Sequence, residues 1–350
     1  MTQAKAILKT TLAGAVAFSL SAGIVSAKDL RIALQDDADV LDPDQSRTFV
    51  GRIVYASLCD KLVDITPELE IIPQLATAWE YADDGLSLTM KLREGVVFHD
   101  GTPFNAEAVA ANIDRSQNMD ESRRKSELKS ITGVEVLGPN EIKFNLAAPD
   151  ATLLAQFADR AGMMVSPTAA AAAGADFGAN PVCSGPFKFV ERVALDKIVL
   201  GRFADYWNAD SIAFDSVTFL PIPDTTVRLA NLQAGDIDML ERLAPSDIPQ
   251  ADSDADIDVE SAISLGYQGI TFNIDNGDKG DGPWGSDPRL RQALSHALDR
   301  DVINQVVFEG GVDHEEGYRR VDEVEQVDDA ELAHHGNVKE AVGEPGDRVA

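Results

Sequence analysis

Two side chains that can move a proton or hold a metal stand side by side in "FHDGTPF", His99 and Asp100. Such a pair serves acid–base catalysis when a nucleophile or substrate lies within reach. Neighbours in one turn, however, cannot orient each other as the members of a catalytic triad do. Turn chemistry gives the simpler reading: Asp100 and Gly101 make a tight corner, Pro103 fixes its exit, and Asn105 caps the helix that follows. The remaining histidines of the five are His296, His314, His334 and His335. His296 falls beside helical core positions, and His334 and His335 share no rigid face on which to hold a metal. Ser184, in "CSGPF", sits in a loop without the flanking pattern of a nucleophile elbow. The chain has no H-E-x-x-H, no Walker loop and no G-x-G-x-x-G. These residues support a protein that binds rather than converts, with no metal and no cofactor; a secreted hydrolase is the rival reading.

The charge and the first residues narrow the setting. A formal charge of -29 over 350 residues repels nucleic acid and anionic lipid and suits a soluble monomer. With 44% hydrophobic residues the chain can fill more than one core. The N-terminus carries Lys5 and Lys9, then an apolar run from Leu12 to Val25 rich in Ala, Gly and Ser, closing on Val25-Ser26-Ala27. This pattern predicts a secretory signal, residues 1–27, cleaved after Ala27. In an oxidising compartment the only two cysteines, Cys59 and Cys183, are expected to pair. The bridge would contribute roughly 4 kcal/mol by closing a long loop. Two separate buried thiols are the alternative, and a zinc shell would need more ligands.

The elements that must position these residues read as alternating strands and helices. "LRIALQ" alternates as a first strand and stops in the acidic loop "DDADVLDPD". Helical spacing follows at Ile53, Val54, Leu58 and Leu62. Short strands joined by Asp-Gly turns run from Ile71 to Gly101. Asn105 opens a helix, Pro139-Asn140 bends a hairpin, and "ATLLAQFADRAGMMVSPTAAAAAG" reads as helix up to a glycine stop. Residues 180–203 return to strands. Asp224 caps a helix that ends at Gly235. "LGYQGITFNI" reads as a strand, and residues 286–308 as one amphipathic helix with Asp287 as cap and Pro288 in its first turn. Beyond Gly310 the chain has 12 acidic and 4 basic residues, with Tyr318 and Leu332 as its large apolar side chains. So little to bury predicts a disordered tail over 311–350.

One long block, "IPQLATAWEYADDGLSLTMKLREGVVFHDGTPFNAEAVAANI", resembles the signature region of family 5 extracellular solute-binding proteins, the dipeptide-, oligopeptide- and nickel-binding group of ABC importers. "NPVCSGPFKFV", "ADYWN", "FLPIPDTTVRLANLQAGDIDM" and "DPRLRQALSHALDRDVINQVVFEG" resemble later blocks of that family, in the same order. The resemblance covers residues 30–310. It implies an α/β, periplasmic-binding-protein-like fold of type II: two lobes and a peripheral subdomain. Lobe I would take residues 28–62 and 181–264, the peripheral subdomain 63–180, and the start of lobe II 265–310. Members are substantially longer, so a truncated or frameshifted reading frame with an incomplete second lobe is expected.

The resemblance also implies a ligand cleft between the lobes. The loops that would face it offer Gln35 and Asp36, then Arg47, Thr48 and Phe49, then Cys183 and Ser184 at the return crossover, and Tyr267. Asp36 could pair with a ligand ammonium and Arg47 with a carboxylate; Phe49 and Tyr267 could supply flat apolar contact. The implied function is a periplasmic binding component that hands peptides or similar small solutes to an ABC permease pair with its ATPases; a secreted hydrolase or a non-functional truncated fragment of such a binding protein is the alternative.

Overall fold

The computed structural model describes residues 28–261, 269–274 and 276–308. The described residues divide between two compact units, one running to Pro221 with Ile237–Met239, the other made of Ile222–Asp236 and the residues from Leu240.

The first unit begins with strand β1 (Asp29–Leu34) and helix α1 (Phe49–Leu58), followed by β2 (Val63–Ile65), β3 (Ile71–Pro73), β4 (Ala76–Tyr81) and β5 (Ser87–Leu92). Helix α2 (Ala106–Asn118), the hairpin β6 (Ile131–Gly138) and β7 (Glu141–Leu146), and the helices α3 (Leu153–Phe157) and α4 (Pro167–Ala173) come next. Strands β8 (Phe187–Val193), β9 (Lys197–Arg202) and β10 (Ser216–Pro221) return the chain, and the short β11 (Met239–Leu240) lies at a sheet edge. One sheet has the order β11-β1-β10-β9-β8, another β4-β5-β7-β6, with β2-β3 as a separate pair. Strand β1 runs parallel to β10, in register from Asp29 opposite Ser216 to Leu34 opposite Pro221. The bidentate contact of Arg31 with Asp238, at 2.8 and 2.9 Å, fixes the sheet edge beside β1.

Alternation along the strands builds the cores. In β5, Leu88, Met90 and Leu92 are buried; in β7, Ile142, Phe144 and Leu146 are buried. The antiparallel register sets Leu88 against Phe144 and Met90 against Ile142 on one face. Val109 and Ile113 of α2 complete that core, together with Phe98, Phe104 and Phe157. A second core gathers Leu34, Val54, Tyr55 and Leu58 with Ile198, Leu200, Val217 and Phe219. Each large apolar side chain so removed from water stabilises by about 2 kcal/mol.

The chain passes from the second core to the first at Cys59–Leu62, returns by Met163–Val165, and enters β8 through the crossover Val182–Gly185. The expected disulfide joins the first of these stretches to the last: Cys59 and Cys183 are bonded, with Cα atoms 4.9 Å apart. Gly185 donates its N–H to the Leu58 carbonyl at 3.0 Å. The backbones come so close there that a Cβ on Gly185 would lie 2.7 Å from Leu58. The "HDG" corner supplies the third hold. His99 N–H donates to the Cys183 carbonyl at 2.8 Å, Cys183 N–H donates to His99 Nδ1 at 3.2 Å, and Nε2–H donates to the Gly185 carbonyl at 3.0 Å. That pattern requires the neutral, Nε2-protonated ring. Asp100 is turned elsewhere and accepts from Thr102 N–H and from the Thr102 and Ser166 hydroxyls. Gly101, at φ +79°, makes the turn, a conformation other residues adopt with strain.

Three expected elements differ. The helix read from Ala151 to Gly174 is two helices, because residues 163 and 165 form β-bridges with Lys61 and Cys183 and Ser166 then caps α4. The long-range pairing at the crossings outweighs local helix propensity there. Residues 269–274, expected to be strand, have no regular structure. The helix expected over 286–308 is broken in the second unit, where α5 (Thr225–Ala234), α6 (Ile248–Asp252), α7 (Pro283–Ser286), α8 (Pro288–Ala297) and α9 (Arg300–Val307) are found. Leu298 is extended, and Asp299 accepts from Val302 N–H and starts α9 as a new helix. Val302 is exposed, while Leu294 and Leu298 are half-buried. The expected caps Asn105, Asp224 and Asp287 all accept hydrogen bonds in their helices' first turns. The expectations for residues 1–27 and 311–350 lie outside the described residues.

Phe144→Ala should destabilise the first unit by about 3–5 kcal/mol, because a fully buried ring leaves a cavity; chemical denaturation followed by circular dichroism measures it. A second outcome concerns pH. Burial, the largest cause, pushes the His99 imidazole down from its ordinary value to about 4. Between roughly pH 6.5 and 4 the unfolded chain therefore holds a proton at His99 that the folded chain lacks. The clamp is fully effective above this window and weakens as pH falls through it. Denaturation of the native protein and of His99→Gln should show a stability gap at pH 7 that shrinks at pH 4.5.

Candidate solute-binding loops

The loop between β1 and α1 carries five aspartates, Asp36, Asp37, Asp39, Asp42 and Asp44. Four of the carboxylates are committed to building it. Asp39 accepts from the Ser46 hydroxyl at 2.8 Å, Arg47 N–H at 2.8 Å and the Thr48 hydroxyl at 3.0 Å. Burial alone would raise the Asp39 carboxyl, but these donors hold it below its ordinary value. Arg115 of α2 reaches Asp42 at 2.6 and 3.1 Å and also pairs with Asp44, whose other oxygen accepts from Ser116 at 2.6 Å. Burial still dominates at Asp44 and pushes its carboxyl up. Asp37 accepts from Arg192 of β8 at 2.9 Å and from Leu195 N–H at 3.0 Å.

The fifth carboxylate behaves differently. Asp36 is exposed and accepts only from the N–H of Asp37, at 2.8 Å. Among the described residues Arg47 is the matching case on the other arm of the loop: exposed, its guanidinium without a partner. Thr48 caps α1 by accepting from Gly51 N–H at 3.1 Å, which ties the loop's end to the helix. Phe49 begins that helix, 46% exposed, with Arg52 over its ring at 5.8 Å. Gln35 is half-buried at the end of β1. Gln35, Asp36, Arg47, Thr48 and Phe49 thus lie along this loop and its two ends, with one anionic and one cationic side chain, Asp36 and Arg47, open to solvent.

The crossover residues are placed otherwise. Cys183 is fully buried in the disulfide, and Ser184 is fully buried with its hydroxyl donating to the Met164 carbonyl at 3.4 Å. Neither side chain is presented to solvent; both hold the crossing that supports the loop. Tyr267 lies outside the described residues. In the second unit, Phe272 stacks on Trp284 with centroids 5.7 Å apart, and both line an open cavity of about 420 Å³ with Lys279 and Leu294.

Sequence reasoning missed the framework of the loop: Arg115, Ser116 and Arg192. The acidic run was visible, but its cationic partners lie 71 to 155 positions away along the chain. No local pattern marks them.

Residues 70–341 match the bacterial extracellular solute-binding proteins, family 5, in the part described as middle. A glutathione-binding protein of Pectobacterium atrosepticum is 30% identical over 306 residues, 87% of this chain and 58% of that protein. Among solved structures, a Helicobacter pylori ABC transporter-associated periplasmic binding protein in complex with a peptide superposes with a TM-score of 0.68 at 25% identity, covering 81% of this chain and 59% of that one. A Campylobacter jejuni protein in complex with nickel and L-histidine superposes with a TM-score of 0.71 at 24% identity, covering 81% and 55%. The chain thus spans about 58% of the length of the curated relatives it matches. With the family match over residues 70–341 and the relative 30% identical over most of its length, the chain belongs to the family 5 bacterial extracellular solute-binding proteins.

Proposed function

We propose that this chain is the solute-receiving component of an ABC importer and takes peptide-like small solutes. The observation that carries the reading is the pair of uncommitted charges on the β1–α1 loop, Asp36 and Arg47, in a loop whose other carboxylates are all engaged. A peptide-like solute has an ammonium and a carboxylate. Asp36 would accept from the first and Arg47 would donate to the second. Phe49 would offer its exposed ring to an apolar part of the solute, with Gln35 and Thr48 as polar neighbours. Relatives named for glutathione and for peptide binding support a solute of this class.

In this reading residues 1–27 direct export, the disulfide forms in the oxidising compartment, and the solute is passed to a membrane permease with its ATPases. No described helix is long and apolar enough to cross a membrane. Lobe I would comprise 28–62 and 181–264, the peripheral subdomain 63–180, and lobe II would begin at 265. Binding and release occur without turnover. A hydrolase reading draws no support from the site, since Ser184 is buried and His99 spends both ring nitrogens on the crossover.

Isothermal titration with reduced glutathione and with a dipeptide such as Met-Leu tests this. Binding of either is expected, and Asp36→Asn and Arg47→Ala should each weaken it by about tenfold or more, as loss of a charge-assisted hydrogen bond requires. Equal affinity in the native protein and both variants would remove the loop from the site. Absence of heat with both solutes would count against the peptide-like class.

A further inference from the structure

Asp60 follows the disulfide's Cys59 directly and is 1% exposed. Its carboxylate accepts from Trp207 Nε1–H at 2.6 Å, from the Tyr206 hydroxyl at 3.2 Å and from Gln74 Nε2–H at 3.3 Å. All three donors are neutral. The cations nearby are engaged with other groups: Lys61 pairs with Asp64, and Arg93 lies 3.7 Å over the Trp207 ring with its Nε–H on the Gln74 carbonyl at 3.0 Å. Gln74 also accepts from Lys61 N–H at 2.6 Å. The cluster therefore ties three stretches together: the outward crossing at 59–62, the β3–β4 connection, and the loop after β9. It sits where the two cores adjoin, with Cys59 in one, Leu62 in the other and Val182 packed against both.

We propose that Asp60 is a proton-operated latch at this joint, drawing Tyr206 and Trp207 onto the outward crossing when ionised and releasing them when protonated. A buried carboxylate without an ion-pair partner is costly to keep charged. Burial, the largest cause, accordingly pushes the Asp60 carboxyl up to about 7, against the pull of Trp207 and Tyr206. Hydrogen bonds to an ionised acceptor are roughly twice as strong as those to a neutral one, so taking up a proton from solvent weakens the hold on the indole and the phenol. The charged and titratable groups that face Asp60 are Lys61 and Asp64 from its own stretch, which oppose each other, Tyr206 from the loop after β9, and Arg93 beyond the Trp207 ring. Tyr206 itself is pushed up by burial and by Asp60, so it stays a donor throughout.

The sign is definite. The folded chain holds a proton at Asp60 over a window, from about 4 up to about 7, in which the unfolded chain has lost it. Through that window rising pH lowers stability while it tightens the latch; above it both effects level off. An exported protein meets the pH of its surroundings, so the stiffness between the two sheets of the first unit would follow that pH. The inference rests on the first unit's own geometry and stands apart from the choice of solute.

The test follows the Trp207 indole N–H by proton–nitrogen spectroscopy of the full chain from pH 5.5 to 8.5. The chain has 3 tryptophans, and Trp207→Phe identifies the signal. The expected result is a downfield movement with rising pH, one midpoint within about a unit of 7, and slower exchange of the Tyr206 amide at pH 8 than at pH 6 after correction for intrinsic rates. In Asp60→Asn the movement should vanish. No movement, the same movement in Asp60→Asn, or equal corrected exchange would overturn the latch. Should the variant fail to fold, carbon spectroscopy of the Asp60 carboxyl in the native chain decides: a midpoint between about 6 and 8 supports the proposal, and one near 4 refutes it.

Discussion

Everything in the first unit hangs on the contact between its two crossings. Cys59–Leu62 leads the chain out of the five-stranded sheet, and Val182–Gly185 brings it back. Each crossing alone would be a short irregular stretch with backbone groups to satisfy. They are satisfied by each other and by residues 164 and 166 beside them: Gly185 donates to Leu58, Met164 to Asp60, and Ser166 to Val182, all at 2.8–3.0 Å. The disulfide closes a loop spanning 124 positions across them, which restricts the unfolded chain far more than the folded one. His99 adds a neutral ring whose two nitrogens fit one acceptor and one donor on the returning strand. A residue that looks catalytic in the sequence is thus occupied as a splice between two cores.

The loop between β1 and α1 depends on the same arrangement. Strand β1 runs into it, α1 leaves it, and α1 ends at the disulfide. Its shape is set by carboxylates that accept from its own backbone and from Arg115 and Arg192. Prior engagement of these groups leaves Asp36 and Arg47 as the exposed, uncommitted charges. A loop held from within loses little freedom when a ligand arrives, which favours binding.

Much of this was legible in the sequence where the cause was local. The Asp-Gly turns and the Pro139-Asn140 bend predicted short strands and a hairpin, and "SLTMKL" and "EIKFNL" are strands there, each burying alternate residues. The caps Asn105, Asp224 and Asp287 were readable because an Asx side chain ahead of an apolar run has one good use. The signal failed where distant residues decide. Met163 and Val165 look helical in their neighbourhood, yet Lys61 and Cys183 claim them as bridge partners. At Leu298-Asp299 the apolar period ran on unbroken, and the stronger effect was a capping aspartate inside it. At the site, Arg47 and Asp36 could be proposed from their types, but the burial of Cys183 and Ser184 follows from the crossing and has no local mark.

Native-state amide exchange measures the clamp most directly. If the crossings are the splice that joins the cores, the amides of His99, Cys183 and Gly185 should exchange as slowly as strand amides such as those of Leu88 and Leu200, opening only when the cores open. Rapid exchange at those three positions, while the strands remain protected, would show that the cores stand without the clamp and would contradict the account.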